Sequence, residues 1–350
     1  MKKGIRKSII VMGIIVVLIA LCTVPILLNK ENKDVTKLGK LDQPETKQYS
    51  TAPTVGTEEE LSKYRYEINE TNKIVELQIY KGRDTELTVY SKYLIGDTEY
   101  STKINNFDGD AYEVISFTRN NTVRTIIFQD GITWSAHSDS RFFNASSNLQ
   151  TAVFGEMDFT NDVISGMFYG CTSLKTVNLD KVNFNNVTDM SYMFKGCTSL
   201  KSINLSNLDV SNVTDMNSMF YGCGSLTSII GLENWDTSSV TNIYNMFYGC
   251  SSLTSIIGLE NWNTSNVTNM NAMFQDCSFL ENIDLSNWNT TKVTYMSYMF
   301  KGCISLKNIN LKKWNTYKVT NMAQIFNGCV SIEELDLSDF MLSSLNSIIR

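Results

Sequence analysis

From Val187 to Leu205 the chain reads VTDMSYMFKGCTSLKSINL, and close copies of this stretch recur through the C-terminal part of the sequence. The cysteines mark the period, because the steps from Cys171 to Cys329 are 26, 26, 27, 27, 26 and 26 residues. A period of this length is typical of supersecondary units that stack and bury their apolar faces against each other. The sequence therefore predicts a solenoid.

Two apolar spacings divide the quoted unit. Four apolar residues between Val187 and Phe194 follow one face of a helix, and Gly196 stands where a left-handed residue would end that helix. Ile203 and Leu205 then alternate as in a short strand. The predicted fold is an α/β repeat solenoid, a right-handed superhelix with one short helix and one short parallel strand per 26–27 residues.

The two 27-residue units differ from the others by one residue next to this strand. Ile230-Gly231 and Ile257-Gly258 place an extra residue between the inward-pointing pair. A glycine inserted into a strand predicts a β-bulge.

The N-terminus predicts a different environment. Four cations lie within residues 1–8, a basic tail expected in the cytoplasm, and residues 9–28 form an uncharged run long enough to span ~30 Å as a helix. We expect a single-pass signal anchor with the C-terminal part extracellular. Two alternatives remain open, namely a cleaved signal peptide that would make the protein secreted, and lipid attachment at Cys22.

Three further regions follow this run. Residues 29–60 are polar and lack apolar periodicity, which predicts a flexible stalk. Residues 61–135 are expected to form a β-rich cap, with a hairpin of Ile74–Tyr80 and Glu86–Lys92 and another strand and turn within Val123–Thr133. Residues 136–350 are assigned to the solenoid.

Composition and motifs exclude several function classes. The 350-residue chain is 43% hydrophobic and carries a net charge of −6, which is too apolar for a disordered protein and gives no basic footprint for nucleic acid. The single histidine, His137, has no nucleophile motif around it, and we find neither a phosphate loop nor a metalloprotease motif. We therefore expect no catalysis and no cofactor.

The repeated cysteines are interpreted as buried free thiols. Equivalent residues of stacked units lie ~4.8 Å apart with parallel side chains, whereas a disulfide needs facing Cβ atoms at ~3.8 Å and zinc needs four converging ligands. A disulfide in some units and a metal site are the alternatives.

Two other series repeat with the same period. An Asp or Asn follows an apolar residue in each unit and is interpreted as a turn former, with calcium binding as the alternative; the series comprises Asn183, Asp209, Asp236, Asn263, Asn289 and Asn315. The tryptophans that precede the last four are expected to close the core edge, with an exposed sugar-stacking stripe as the alternative.

Positions outside the apolar frame provide two candidate binding surfaces. The outward strand residues are Thr176, Asn178, Ser202, Asn204, Asn282, Asp284, Asn308 and Asn310. The helix-side tyrosines are Tyr192, Tyr221, Tyr248 and Tyr298, a residue type enriched at interfaces. The alternative for either set is ordinary solvated surface.

The pattern Val-Thr-x-Met-x-x-Met-Phe-x-Gly-Cys-x-Ser-Leu-x-x-Ile-x-Leu resembles the BspA-like leucine-rich-repeat surface proteins of bacteria over roughly residues 140–350. The resemblance implies a surface protein that adheres to host proteins or other cells without catalysis. The chain lacks a C-terminal Leu-Pro-x-Thr-Gly sorting signal, so residues 9–28 are expected to supply the anchor. The alternative function is a structural spacer without a specific ligand.

Overall fold

A computed structural model of the chain describes residues 49–104, 122–134, 142–159 and 163–341. The chain divides into the units Met1–Ser50 and Thr51–Arg350, and every element below belongs to the second. The predicted basic tail, the membrane helix at 9–28, most of the stalk and His137 lie outside the described residues. In the described part no helix is long and apolar enough to cross a bilayer, which contradicts the expected single-pass membrane localisation.

The described regular structure consists of short strands and a few helical turns. The helical elements are the four-residue α-helix α1 (Glu58–Leu61) and two 3-10 helices, Leu232–Asn234 and Leu259–Asn261. The strands are β1 (Val55–Gly56), β2 (Tyr64–Asn69), β3 (Ile74–Tyr80), β4 (Glu86–Val89), β5 (Lys92–Ile95), β6 (Thr98–Ile104), β7 (Thr125–Phe128), β8 (Thr133–Trp134), β9 (Thr151–Phe154), β10 (Met157–Asp158), β11 (Thr176–Asn178), β12 (Val182–Asn183), β13 (Ser202–Asn204), β14 (Ser228–Ile230), β15 (Asn282–Asp284) and β16 (Asn308–Asn310).

The first sheet is mixed and contains six strands in the order β1-β5-β6-β3-β2, with β8 also paired to β6. Strands β2 and β3 form one antiparallel hairpin and β5 and β6 another, while β3 and β6 run parallel. The expected hairpin of Ile74–Tyr80 with Glu86–Lys92 is wrong, because β4 pairs in parallel with β7 in a different sheet. That pairing places Leu87 beside Ile126 and Val89 beside Phe128, so the buried side chains of β4 join the first row of the solenoid core.

Residues 51–60, expected at the end of the stalk, belong to the folded unit instead. Helix α1 begins with a capping box in which Thr57 and Glu60 bond each other's backbone N–H, a motif that satisfies two free donors at a helix start. Glu60 also accepts a hydrogen bond from the Tyr90 hydroxyl, and Glu58 accepts one from the N–H of Gly96 at 2.6 Å. These contacts were not predicted because the segment is polar and lacks an apolar pattern.

The second sheet begins the solenoid and is parallel throughout, in the order β11-β9-β7-β4. The pairs β13–β14 and β15–β16 continue the same strand position in later coils. The registers are those of stacked repeats, because Ile203 faces Ile229 and Ile283 faces Ile309. The predicted stacking in register is therefore confirmed.

The predicted helix within each repeat is wrong, and a ladder of turns occupies its place. The backbone N–H groups of Met190, Tyr192 and Phe194 donate to carbonyls of the next coil at 2.9–3.0 Å instead of to residues four positions earlier. Between them lie local turns, such as the bond from the Lys195 N–H to the Tyr192 carbonyl at 2.9 Å. An isolated helix this short is marginal in water, whereas a neighbouring coil offers acceptors at every second residue.

A left-handed residue breaks the helical path at the same point of successive coils. Its φ lies between 51° and 60°, whereas helix residues need negative φ. The residues are Tyr192, Ser218, Asn245, Ala272, Tyr298 and Gln324. The apolar residues have the spacing expected of a helix because these turns also direct every third or fourth side chain into the core.

Aromatic side chains form continuous columns in the core. Eight phenylalanines stack with ring centroids 5.2–5.7 Å apart, namely Phe143, Phe168, Phe194, Phe220, Phe247, Phe274, Phe300 and Phe326. A second column runs through Trp235, Trp262, Trp288, Trp314 and Phe340, with ring centroids 5.9–6.5 Å apart. Burying one such ring stabilises the fold by about 1.5–3 kcal/mol. Each ring also covers the rings above and below it and so keeps their apolar surface from water.

The extra residue of the two longer coils does not form the predicted bulge. Strand β14 pairs with β13 without a register shift, and Gly231 lies just beyond it with φ 102°. Gly258 has φ 98° at the same point of the next coil. Each glycine begins a 3-10 turn, which absorbs the insertion outside the ladder.

Candidate interaction surfaces

The outward strand residues form two patches rather than one face. Thr176, Asn178, Ser202 and Asn204 lie on β11 and β13, and Asn282, Asp284, Asn308 and Asn310 lie on β15 and β16. In the coil between β14 and β15, residues 254–257 form no strand, and the side chain of Ile257 is 54% exposed there. The sequence placed these eight residues correctly on the outward side, but the longer coil interrupts the row.

Much of the hydrogen-bonding capacity of the strand patches is used internally. The Oδ1 atoms of Asn178, Asn204 and Asp284 each accept the backbone N–H two residues further on, at 2.9–3.1 Å. The Asn308 amide donates to Asn282 Oδ1 at 2.6 Å. Burial raises the pKa of Asp284, but hydrogen bonds from Ser286 and Asn310 and the charge of Lys312 outweigh it, so the pKa lies below its ordinary value. These side chains are fixed by their own turns, which reduces what they can offer a partner.

The tyrosines on the turn side are brought together more closely. The Tyr221 and Tyr248 rings stack with centroids 4.5 Å apart and an angle of 6° between their planes. The Lys195 ammonium lies 4.5 Å from the Tyr221 ring centroid, 5.1 Å from that of Tyr192 and 5.6 Å from that of Tyr169. We call Tyr169, Tyr192, Lys195, Tyr221 and Tyr248 the tyrosine surface.

Tyr298 does not belong to the tyrosine surface. It packs instead against Lys301, whose ammonium lies 5.3 Å from the ring centroid. The coil between the two groups carries Ala272 and Gln275 at the corresponding positions, and only Gln275 reaches across, with its amide 3.4 Å from the Tyr248 hydroxyl. Lys195 was missed by the sequence analysis, although it occupies the repeat position of Tyr221 and Tyr248.

The repeated cysteines form a row of free thiols, of which all but the half-buried Cys329 are buried. Each Sγ donates to a phenylalanine carbonyl of the preceding coil at 2.9–3.2 Å, and the row comprises Cys171, Cys197, Cys223, Cys250, Cys277, Cys303 and Cys329. Burial raises the pKa of Cys171 and Cys223 to about 12. A nucleophile or metal ligand must be a thiolate, so these protonated thiols suit packing rather than chemistry. Within the described ranges no three His, Cys, Asp or Glu side chains converge on a metal position.

The Asx and tryptophan series have the structural roles expected of them. All six Asx side chains accept the N–H two residues further on at 2.9–3.1 Å, as in Asx turns. Trp235, Trp262, Trp288 and Trp314 are buried, and each indole N–H donates to a leucine carbonyl of the preceding coil. The tryptophans therefore close the core edge.

Comparison with solved structures gives leucine-rich-repeat proteins of bacteria at low similarity. A leucine-rich-repeat protein of T. pallidum is 14% identical, with 78% of this chain and 89% of that chain covered and a TM-score of 0.32. A leucine-rich cell surface protein of Faecalibacterium prausnitzii is 15% identical, with 82% and 96% covered and a TM-score of 0.33. A leucine-rich-repeat protein of Eubacterium ventriosum is 13% identical, with 79% and 95% covered and a TM-score of 0.28. Because these TM-scores are low, the fold described above rests on the chain's own repeat geometry.

Sequence comparison is more decisive for the family. No curated protein matches the chain. One family model matches residues 162–258 and again residues 226–340, and together these spans cover more than half of the 350 residues. The chain therefore belongs to the family described as "Mycoplasma protein of unknown function, DUF285".

Proposed function

We propose that the chain is a protein-binding repeat module that acts without catalysis and makes contact through the tyrosine surface. The stack of Tyr221 on Tyr248, with Lys195 held over three rings, is the observation that carries this proposal. Tyrosine and aromatic-bound cations supply large contact area together with a polar edge, and they are enriched where proteins recognise each other.

The rigidity of the tyrosine surface supports the same proposal. Tyr192 extends from a left-handed backbone position, and its own N–H is bonded to Asn217 of the next coil at 2.9 Å. Burial and a hydrogen bond to Asp276 raise the pKa of Tyr248. Side chains that are already ordered lose little conformational entropy when a partner binds, which favours affinity.

The finer form of the proposal is adhesion to host proteins or other cells. The BspA-like sequence pattern over residues 140–350 supports it.

The test measures binding of the full chain to immobilised host matrix proteins. We expect Tyr221→Ala/Tyr248→Ala to weaken binding by roughly 10-fold or more, because truncating central aromatic anchors has effects of this size. The matched control is Tyr66→Ala/Tyr295→Ala, two exposed tyrosines outside the surface, which should leave binding unchanged. Equal losses in both double variants, or no binding by the unaltered chain, would contradict the proposal, and the second result would favour the structural spacer.

A further inference from the structure

Charge is sorted by sign over residues 202–332 of the solenoid, beyond which acidic residues return at Glu333, Glu334, Asp336 and Asp339. Residues 202–291 contain eight Asp or Glu and no Lys or Arg, whereas residues 292–332 contain six Lys and no Asp or Glu. A mixed surface would intersperse the two signs, so this separation creates an electrostatic field along the axis.

The separation is sharpest on one side of the molecule, next to the buried tryptophans. This tryptophan side consists of residues 206–212, 233–239, 260–266, 286–292 and 312–318 in successive coils. Its acidic strip is Asp209, Glu233, Asp236 and Glu260, and its basic strip is Lys292, Lys312, Lys313 and Lys318. All eight side chains are exposed, and none forms an ion pair within the part of the chain that the structure describes.

Contacts between coils fix the spacing of the two strips. The amide of Asn261 donates to the carbonyl of Glu233, and that of Asn287 donates to the carbonyl of Glu260, both at 3.3 Å, so these turns stack directly. Glu233, Glu260 and Lys312 occupy the same position of their coils. At ~4.8 Å per coil, Glu233 and Lys312 lie three coils or ~14 Å apart along the axis.

We propose that a second copy of this chain docks on the tryptophan side in antiparallel orientation, with the acidic strip of each copy against the basic strip of the other. A two-fold axis between the coils of residues 260–266 and 286–292 would bring both complementary pairs of strips together at once, as an isologous dimer requires. Parallel docking in register would oppose like charges. Electrostatic complementarity of this kind selects partner and orientation.

A polyanion is a poorer match to the same surface. It would be attracted by the four lysines, but the nearest of the four carboxylates lie within ~10 Å of these lysines, one Debye length at 0.1 M salt, and would repel it.

Tyr317 is 74% exposed beside the basic strip and offers apolar contact area next to the lysines. The proposal goes beyond the proposed function and uses a different side of the solenoid from the tyrosine surface.

The experiment is sedimentation equilibrium of the full chain at about 0.02 M and about 0.5 M salt. We expect a monomer–dimer equilibrium that weakens about 10-fold or more at the higher salt, since screening removes most of the attraction between exposed charges. The variant Lys313→Glu/Lys318→Glu should weaken it by a similar factor. The control Lys175→Glu/Lys201→Glu changes the net charge equally at exposed lysines on another side and should have no such effect.

Mixing two variants tests the orientation of the charges. Glu233→Lys/Glu260→Lys should also lose self-association, yet it should pair with Lys313→Glu/Lys318→Glu, because one then presents a basic face and the other an acidic one. Glu233 and Glu260 accept the N–H groups of Gly231 and Gly258, so folding is checked by circular dichroism. If that variant does not fold, Asn234→Lys/Asn261→Lys changes the charge of the acidic strip by half as much, +2 instead of +4, at the coil position where Lys313 stands, and a correspondingly smaller effect is expected.

Four results would overturn the proposal. The first three are a monomer at low salt, a dimer whose stability depends neither on salt nor on Lys313→Glu/Lys318→Glu, and open-ended assembly in place of a dimer. The fourth is failure of the two complementary variants to pair. None of these results affects binding through the tyrosine surface, so the two proposals fail separately.

Discussion

The thiol of Cys223 donates a hydrogen bond to the carbonyl oxygen of Phe194 in the preceding coil, across 3.1 Å. Both residues are fully buried, and the same pair recurs along the solenoid. A small side chain fits at this point beside the phenylalanine column. Its S–H donor adds to the bond that the Phe194 carbonyl already accepts from the Cys197 N–H at 3.1 Å. The repeated cysteine is thus a packing residue that also joins neighbouring coils.

Replacing this thiol should destabilise the fold modestly. We expect Cys223→Ala to lower the free energy of unfolding by about 1–2 kcal/mol, because it removes one weak hydrogen bond and leaves a small cavity. Urea unfolding measures the change. Cys329→Ala serves as the comparison, since Cys329 is only half-buried, and a larger loss there than at Cys223 would contradict the account.

The buried thiols also predict a dependence of stability on pH. An unfolded thiol ionises near its ordinary pKa of 9.0, but burial raises the pKa of Cys171 and Cys223 to about 12 in the folded chain. Because the folded pKa is raised, this stabilising contribution is complete below pH 9 and is lost as the pH rises from 9 towards 12. Urea unfolding at pH 8 and at about pH 10 should show the loss, and Cys171→Ala/Cys223→Ala should make the decline shallower. An identical decline in the variant would show that other groups cause it.

A glycine in one of the longer coils is required by its surroundings. A Cβ on Gly231 would lie 2.3 Å from the backbone nitrogen of Ser206, and its φ is 102°. We expect Gly231→Ala to lower the free energy of unfolding by about 3 kcal/mol or more, because backbone must move and a strained conformation is imposed. Gly224 is the matched control, since its nearest atom would be 3.6 Å away. Gly224→Ala should change stability by less than about 1 kcal/mol, and similar effects at both glycines would contradict the placement of the insertion.

The phenylalanine column should dominate the stability of the repeats. Phe247 stacks between Phe220 and Phe274 with both centroids 5.7 Å away, so Phe247→Ala should cost about 3–5 kcal/mol. Phe279 is 61% exposed, and Phe279→Ala should stay within about 0.5 kcal/mol. Thermal unfolding followed by circular dichroism measures both, and comparable losses would exclude a continuous aromatic column.

The sequence predicted the stacking but not the path of each coil. The cysteine period and the alternation at Ile203 and Leu205 were sufficient for the solenoid and its parallel ladder. The helix over Val187–Phe194 failed because a series of turns can present apolar residues at the same spacing as a helix. The left-handed residue in each coil distinguishes the turns from a helix. The sequence does not reveal it, because residues other than glycine, such as Tyr192, usually occupy this position.

For the candidate surfaces, the sequence predicted the orientation of single residues but not how residues of different coils come together. Outward orientation of Asn282 and Asn308 follows from strand alternation, so it could be inferred. The interruption of the row at Ile257 and the inclusion of Lys195 among the tyrosines depend on how neighbouring coils align, which a single unit does not reveal. The location of β4 within the solenoid sheet likewise required knowledge of a partner strand whose paired residues lie 39 positions further along the chain.

The central claim is that one coil lies on the next so that residue 282 directly faces residue 308. A two-histidine metal site tests it. In Asn282→His/Asn308→His the two imidazoles would share a zinc ion, and an ion at about 100 times its dissociation constant should raise the free energy of unfolding by about 2.7 kcal/mol. The account predicts this stabilisation for the facing pair and none for Asn204→His/Asn308→His, whose positions lie on different strand pairs. No stabilisation of the facing pair by zinc, or equal stabilisation of both, would contradict stacking in this register.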